Sequence, residues 1–355
     1  GHLALRELTL PTYKLKKVGQ TERRTKMNQT QDEGFSELRS LMQNEKLTEE
    51  QRSQLWLLVR KLAKQAPDYF REVHLPYLSG FPHHFAAPLA RMSHFKGFEK
   101  ACSILPCARF ALRLANSSRP PKQLLERLAK SPYRRCLGEL DMSRVHLGDD
   151  GARTLAKLLP EGLKQLSLWD SGLHSSGLHA LLECRALESV EHLDLGGNHF
   201  GAQEIEAISQ SPRLKGLKEL ILNWLGCRDH GALALATSPY LTNLKVLSLS
   251  EADIGSEGLE ALANSPNLAS IRSLYLHMNY IDDVGVSALA QSPQLRSLRL
   301  LWLYYNPITS VGIQALASSP HAVGLEVLQV DTDEVGQAHI RNSPYLRTRV
   351  KASFA

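Results

Sequence analysis

Apolar and polar positions along the second half of the chain recur in one phrase, LxxLxL. It begins at Leu137, Leu163, Val190, Leu217, Leu244, Ile271, Leu298 and Leu325. The intervals are 26 once and 27 thereafter, a regularity that marks an internal repeat. About eleven positions into each phrase another apolar or thiol residue follows, for example Leu147, Phe200, Cys227, Ile254 and Ile281. A helical phrase comes next, written GARTLA at 151, GALALA at 231, GLEALA at 258, GVSALA at 285 and GIQALA at 312. Asp149, Asp229, Ser256, Asp283 and Ser310, two residues before these phrases, are expected to be helix N-caps. Ser-Pro pairs at 211, 238, 265, 292, 319 and 343 close the repeats, because proline cannot continue a helix.

Each repeat therefore predicts one short strand and one helix. The period of two turns the spaced leucines of LxxLxL inward and the residues between them outward. One repeat cannot bury its apolar face, so neighbours must stack and their strands must line up as a parallel sheet. Helices need more room than strands, so the helices lie on the convex side and the sheet lines the concave side. The fold class is α/β: a curved leucine-rich-repeat solenoid with parallel strands concave and helices convex, preceded by a small helical N-terminal domain.

These phrases resemble the ribonuclease-inhibitor-like leucine-rich repeats and, through GALALA, the bacterial GALA-type repeats. The resemblance covers roughly residues 110–355. Its motifs are specific for fold and say little about function, because the same scaffold serves many partners. GALA effectors would also carry an F-box ahead of the repeats, and no such segment is evident. The asparagine that often follows the strand in this class stands only at Asn198, Asn279 and Asn306. Val145, Ser171, Leu225, Ala252 and Asp333 replace it elsewhere, so a continuous asparagine ladder is not expected.

Three segments follow from the pattern. Residues 1–26, with seven Lys and Arg, six of them between Lys14 and Lys26 in a polar setting, read as a basic disordered tail. Residues 27–107 read as the helical domain, carried by the amphipathic stretch TEEQRSQLWLLVRKLAKQ that starts at Thr48 and places Leu55, Leu58, Val59 and Leu62 on one face. Residues 108–355 read as the repeat domain, a degenerate first repeat plus eight, with a cap in the last residues.

Charge divides along the same line. The first 135 residues hold 25 Lys+Arg against 12 Asp+Glu, about +13, and the remainder 17 against 24, about −7. An acidic repeat region is a poor surface for nucleic acid, so a nucleic-acid role is confined to the basic N-terminal part as an alternative. The absence of a long apolar stretch or signal-like start makes the cytosol the expected location. Five scattered cysteines point to reduced thiols.

No phosphate loop, nucleophile elbow, zinc helix or dinucleotide fingerprint appears, and no enzyme, cofactor or metal is expected. His174, His179, His192 and His199 are close in sequence but fall on different parts of the repeat, so they read as ordinary surface histidines. The informative residues are those pointing outward from the strands. Glu139, Asp141, Asp194 and Glu219 are acidic, whereas Tyr275, His277, Trp302, Tyr304 and Tyr305 are aromatic. Trp169 and Trp224 lie on or beside the same surface, which thus holds three of the four tryptophans. Aromatic side chains of this kind anchor interfaces. A composite concave site for a protein partner is expected; packing of the rings as cross-strand pairs is the alternative for any one of them. A further alternative is a regulatory adaptor, the N-terminal domain coupling to other machinery.

Overall fold

The computed structural model describes residues 36–38, 40–42, 47–65, 91–92, 95–104, 110–117, 119–346 and 351–353. The chain divides into two compact units, 1–74 and 75–355. The basic tail and most of the expected N-terminal domain lie outside the described residues.

In the first unit the amphipathic stretch forms the helix Glu49–Gln65. Its start is closed by reciprocal bonds: the Gln51 N–H donates to Thr48 Oγ1 at 3.2 Å and the Thr48 N–H to Gln51 Oε1 at 2.9 Å. Leu55, Leu58, Val59 and Leu62 are buried as expected, and Trp56 joins them.

The second unit is a solenoid. Eleven described strands form one parallel sheet in chain order: β1 (Arg91–Met92), β2 (Phe110–Arg113), β3 (Leu137–Asp141), β4 (Gln165–Ser167), β5 (His192–Asp194), β6 (Glu219–Ile221), β7 (Val246–Ser248), β8 (Ser273–Tyr275), β9 (Leu300–Trp302), β10 (Val327–Asp331) and β11 (Lys351–Ser353). From β3 onward a helix follows each strand except the last, from Gly148–Ala156 to Glu334–Arg341. The register aligns Leu140, Leu166, Leu193, Leu220, Leu247, Leu274, Leu301 and Leu328 in one buried column. The flanking leucines of LxxLxL fill two more columns, so the core runs the length of the stack. Strands about 4.8 Å apart against helices about 8–10 Å apart force the sheet to the inner side of the curve.

The sheet is longer than the repeat phrase. At one end Arg91 and Met92 pair with Ala111 and Leu112, and the helix Phe95–Ile104 packs on β2, so sheet structure begins upstream of residue 108. At the other end Lys351–Ser353 pairs with Gln329–Asp331 as a further strand.

The capping assignment needs correction. Asp149, Asp229 and Asp283 stand inside the first turn of their own helices and accept hydrogen bonds from the start of the next. Asp149 accepts from His174 N and Ser176 Oγ, Asp229 from Gly255 N and Gly258 N, and Asp283 from Thr309 N, Thr309 Oγ1 and Gly312 N. A carboxylate near a helix N-terminus is favourable whichever repeat supplies it. Ser256 and Ser310 likewise are first helical residues; the residues preceding the helices are Gly255 and Thr309, and Thr309 caps Val311 N. These contacts explain the first residue of the GALA-like phrase, since a Cβ on Gly258 would stand 2.5 Å from Asp229 Oδ1 and one on Gly312 2.6 Å from Asp283 Oδ1.

The Ser-Pro pairs also do more than stop a helix. Ser238, Ser265, Ser292, Ser319 and Ser343 each donate to a carbonyl at the end of the preceding repeat's helix. Asn198 and Asn279 each accept from two backbone N–H groups of the preceding repeat and donate to carbonyls in both repeats. Asn306 follows the pattern with one N–H. The ladder is broken between Asn198 and Asn279, where Leu225 and Ala252 stand; before Asn198, Ser171 spans back to the Met142 carbonyl.

Candidate binding surface

The inner face is built from alternate strand residues and from the turn that follows. Across β3 to β5 it is a polar ladder. The Ser143 hydroxyl lies 2.7 Å from Asp141 Oδ1 and 2.8 Å from Ser167 Oγ, and Ser167 donates to Asp194 Oδ2 at 3.0 Å. Burial, with Asp141 and Glu219 adding, pushes the Asp194 carboxyl up to about 6, against hydrogen bonds from Gly196 N–H and Ser167. Glu219 sits 2.8 Å from His192 Nδ1, and that bond raises the imidazole above its ordinary range. Glu139 is half-buried beside Gln165 on the same face. The expected acidic end is thus present but mostly bonded within itself.

Trp169 is half-buried and packed. A Cβ on Gly196 would come within 2.9 Å of its ring, Gly197 lies beneath its Nε1 edge, and the Arg144 guanidinium covers it at 4.3 Å. Here the packing alternative holds.

From β8 to β9 the surface is aromatic. Tyr275 meets Trp302 edge-on with centroids 4.8 Å apart, His277 stacks on Tyr304 at 4.5 Å, and Tyr304 meets Tyr305 at 5.3 Å. His277 Nδ1 also lies 2.8 Å from Ser250 Oγ, and burial lowers the imidazole's pKa, favouring the neutral ring. Trp302 Nε1 is buried without a hydrogen-bond acceptor among the described residues, an arrangement that costs about 1–3 kcal/mol. The structure brings together Tyr275, His277, Trp302, Tyr304 and Tyr305, and places Trp224 apart from them, two strands earlier.

One feature of this surface was missed in the sequence. The residue just past each strand has left-handed backbone in eight successive repeats: Asn116, Arg144, Asp170, Gly197, Trp224, Glu251, Met278 and Tyr305, with φ between 49° and 66°. Glycine and asparagine tolerate this conformation; other side chains are strained by about 1–2 kcal/mol. Trp224, Met278 and Tyr305 are nevertheless 60%, 43% and 63% exposed there. Aligning the repeats at the 27-residue offset, with Gly197 and Asn116 in the column, was the available signal.

Two expectations concerning histidine and metals can be placed. His174 and His199 stack at 4.5 Å, closer than their sequence positions implied. Among the described residues no group of three or more His, Cys, Asp or Glu is arranged to hold a metal ion. Nor is any helix among them long and apolar enough to cross a membrane.

Comparison with known proteins returns a family described as Leucine Rich repeat, matching residues 240–263 and 267–290. No curated protein matches in sequence. Among solved structures, this chain is similar to a chain of the Rad7 and Elc1 complex from yeast at 15% identity and TM-score 0.45, covering 90% of this chain and 93% of that one. A Bacteroides fragilis protein aligns at 14% identity and TM-score 0.48, covering 68% and 74%. An internalin from Listeria monocytogenes aligns at 13% identity and TM-score 0.38, covering 91% and 90%.

Proposed function

We propose that this chain, a leucine-rich-repeat protein, is a non-catalytic scaffold that grips a protein partner on its concave face. One observation carries the reading. Trp224, Met278 and Tyr305 are large, exposed and apolar at positions where the backbone favours glycine, so each carries backbone strain while leaving much of its side chain in solvent. Anchoring a partner is the use that such residues serve best.

The aromatic cluster of Tyr275, His277, Trp302 and Tyr304 lies beside Met278 and Tyr305 and extends the contact surface inward. Glu139, Asp141, Asp194 and Glu219 form its acidic flank; Trp169 supports that flank by packing. The same reading sets the protein with the GALA-type bacterial repeats, supported by the GALALA phrase, and in the cytosol, supported by five cysteines that are scattered along the sequence without a paired spacing. The division into a basic tail at 1–26, a helical domain at 27–107 and a repeat domain from 108 belongs to this proposal, with the strand at Arg91–Met92 and the helix Phe95–Ile104 added to the repeat side.

The test is affinity capture from the native cell extract by the wild-type chain and by Trp302→Ala with Tyr304→Ala, folding being checked by circular dichroism. Proteins held by the wild type and lost by the variant support the reading. Equal capture by both would remove the concave face from the function.

A further inference from the structure

One residue per repeat precedes the first inner-face position of each strand. The backbone N–H groups of Glu191, Lys218, Lys245, Arg272, Arg299 and Glu326 each donate to the carbonyl of the counterpart one repeat earlier, at 2.7–2.8 Å, beginning from Lys164. The seven side chains therefore form a single row at strand spacing, about 4.8 Å from one to the next.

The ends of this row are neutralised within it. Glu191 bridges Lys164 at 2.7 Å and Lys218 at 2.5 Å, and Arg299 lies 3.5 Å from Glu326. The middle is not. Lys245 has Lys218 and Arg272 as its row neighbours, and Arg272 has Lys245 and Arg299. All four cations are exposed, and among the described residues neither Lys245 nor Arg272 makes an ion pair. Like charges directly opposite on adjacent strands are destabilising, and the Lys164–Glu191–Lys218 stretch shows how the fold relieves that when it does. Four cations in succession, of which the middle two, Lys245 and Arg272, make no ion pair among the described residues, are thus a second feature that works against the stability of the free chain.

Their place indicates what they meet. Arg272 and Arg299 stand one residue before β8 and β9 and three residues before Tyr275 and Trp302, about 10 Å along the chain, so the cation row runs past the entry ends of the strands whose far ends carry the aromatic cluster. We propose that the partner engages this surface through a protein segment lying across β6 to β9, with acidic side chains along the Lys218–Arg299 row and apolar side chains on the aromatic cluster. Lys218 to Arg299 spans about 14 Å, or two and a half turns of helix. Glu219 and Glu251 lie on or just past neighbouring strands and the repeat region carries about −7 overall, a field that opposes a long polyanion such as a nucleic-acid backbone and confines an acidic contact to the length of the row.

This inference rests on the concave-face reading, and the test separates the two. The full chain is immobilised and a random peptide library displayed on phage is selected on it. The expected result is enrichment of peptides with Asp or Glu beside aromatic or aliphatic residues, with affinity falling about tenfold in Lys245→Glu with Arg272→Glu and falling also in Trp302→Ala with Tyr304→Ala. The charge-reversal variant should unfold at the wild-type temperature or above, because it breaks a like-charge run; Lys245→Gln with Arg272→Gln serves if it does not. Peptides that need Trp302 and Tyr304 but show no acidic excess, or bind the reversal variant equally, overturn the acidic segment and leave the concave face standing. Failure to enrich any peptide dependent on Trp302 and Tyr304 overturns both. Capture of a homopolymeric single-stranded oligonucleotide, lost on charge reversal, would overturn the acidic segment in favour of nucleic acid.

Discussion

Replacing Trp224 by alanine and, separately, by glycine tests whether the surface anchors are held at a cost. Both variants remove the same indole and the same side-chain contacts, so their difference reports the backbone. In most settings alanine is the more stable of the two by about 0.5–1 kcal/mol, because glycine loses more freedom on folding. At Trp224 φ is 61°, where a Cβ costs about 1–2 kcal/mol. The two effects oppose each other, and the net order inverts: Trp224→Gly should be more stable than Trp224→Ala by about 0.5–1 kcal/mol. The backbone cannot easily relax away from the strain, since Trp224 N–H donates to the Ser250 carbonyl at 2.9 Å and Gly197 N–H to the Asn223 carbonyl just before it. Denaturant unfolding followed by circular dichroism measures the difference. Alanine equal to or above glycine would refute the strain, and with it the argument that these side chains are retained for a partner. The same inversion is expected at Met278 and Tyr305.

The remaining predictions concern the contacts between repeats and the acidic flank. Asn279→Ala leaves two backbone N–H groups and two carbonyls without their partner in a buried site and should cost about 2–4 kcal/mol, read as a lower denaturation midpoint. Gly312→Ala, which would raise stability in an ordinary helix, should lower it here; in a thermal double-mutant cycle much of the loss should disappear when Asp283→Ala is added, and a fully additive cycle would contradict the contact. Folding raises the pKa of Asp194 to about 6, so its ionisation opposes folding above that pH and has no such effect below about pH 4, where the carboxyl is protonated in both states. Asp194→Asn should therefore stabilise the protein at neutral pH and lose that advantage as pH falls to about 4, and a pH-independent difference would refute the account.

Much of the architecture was legible because it is written at two periods. The alternation within LxxLxL fixes which leucines face inward, and the 27-residue interval fixes how neighbours align; Leu166, Leu220 and Leu274 are buried for that reason alone. The aromatic candidates were legible for the same reason, since outward strand positions can be counted. Their fates could not be counted. Trp169 and Trp224 both belong to this surface, yet one lies on Gly196 and Gly197 under Arg144, and the other, one column further along the repeat, stands in solvent.

The sequence by itself determined the repeat, the strand and helix order, the core columns and the face on which candidates lie. Only the tertiary structure decided that Asp229 caps the next repeat's helix rather than its own, that Tyr275 and Trp302 meet edge-on, that the post-strand residue is left-handed, and that Lys218, Lys245, Arg272 and Arg299 stand in line. The physical reason is common to all four. Periodicity specifies which side of the backbone a residue occupies, whereas these features depend on the direction of a side chain or the twist of a turn relative to a neighbour one repeat away, and that relation exists only once the repeats have stacked.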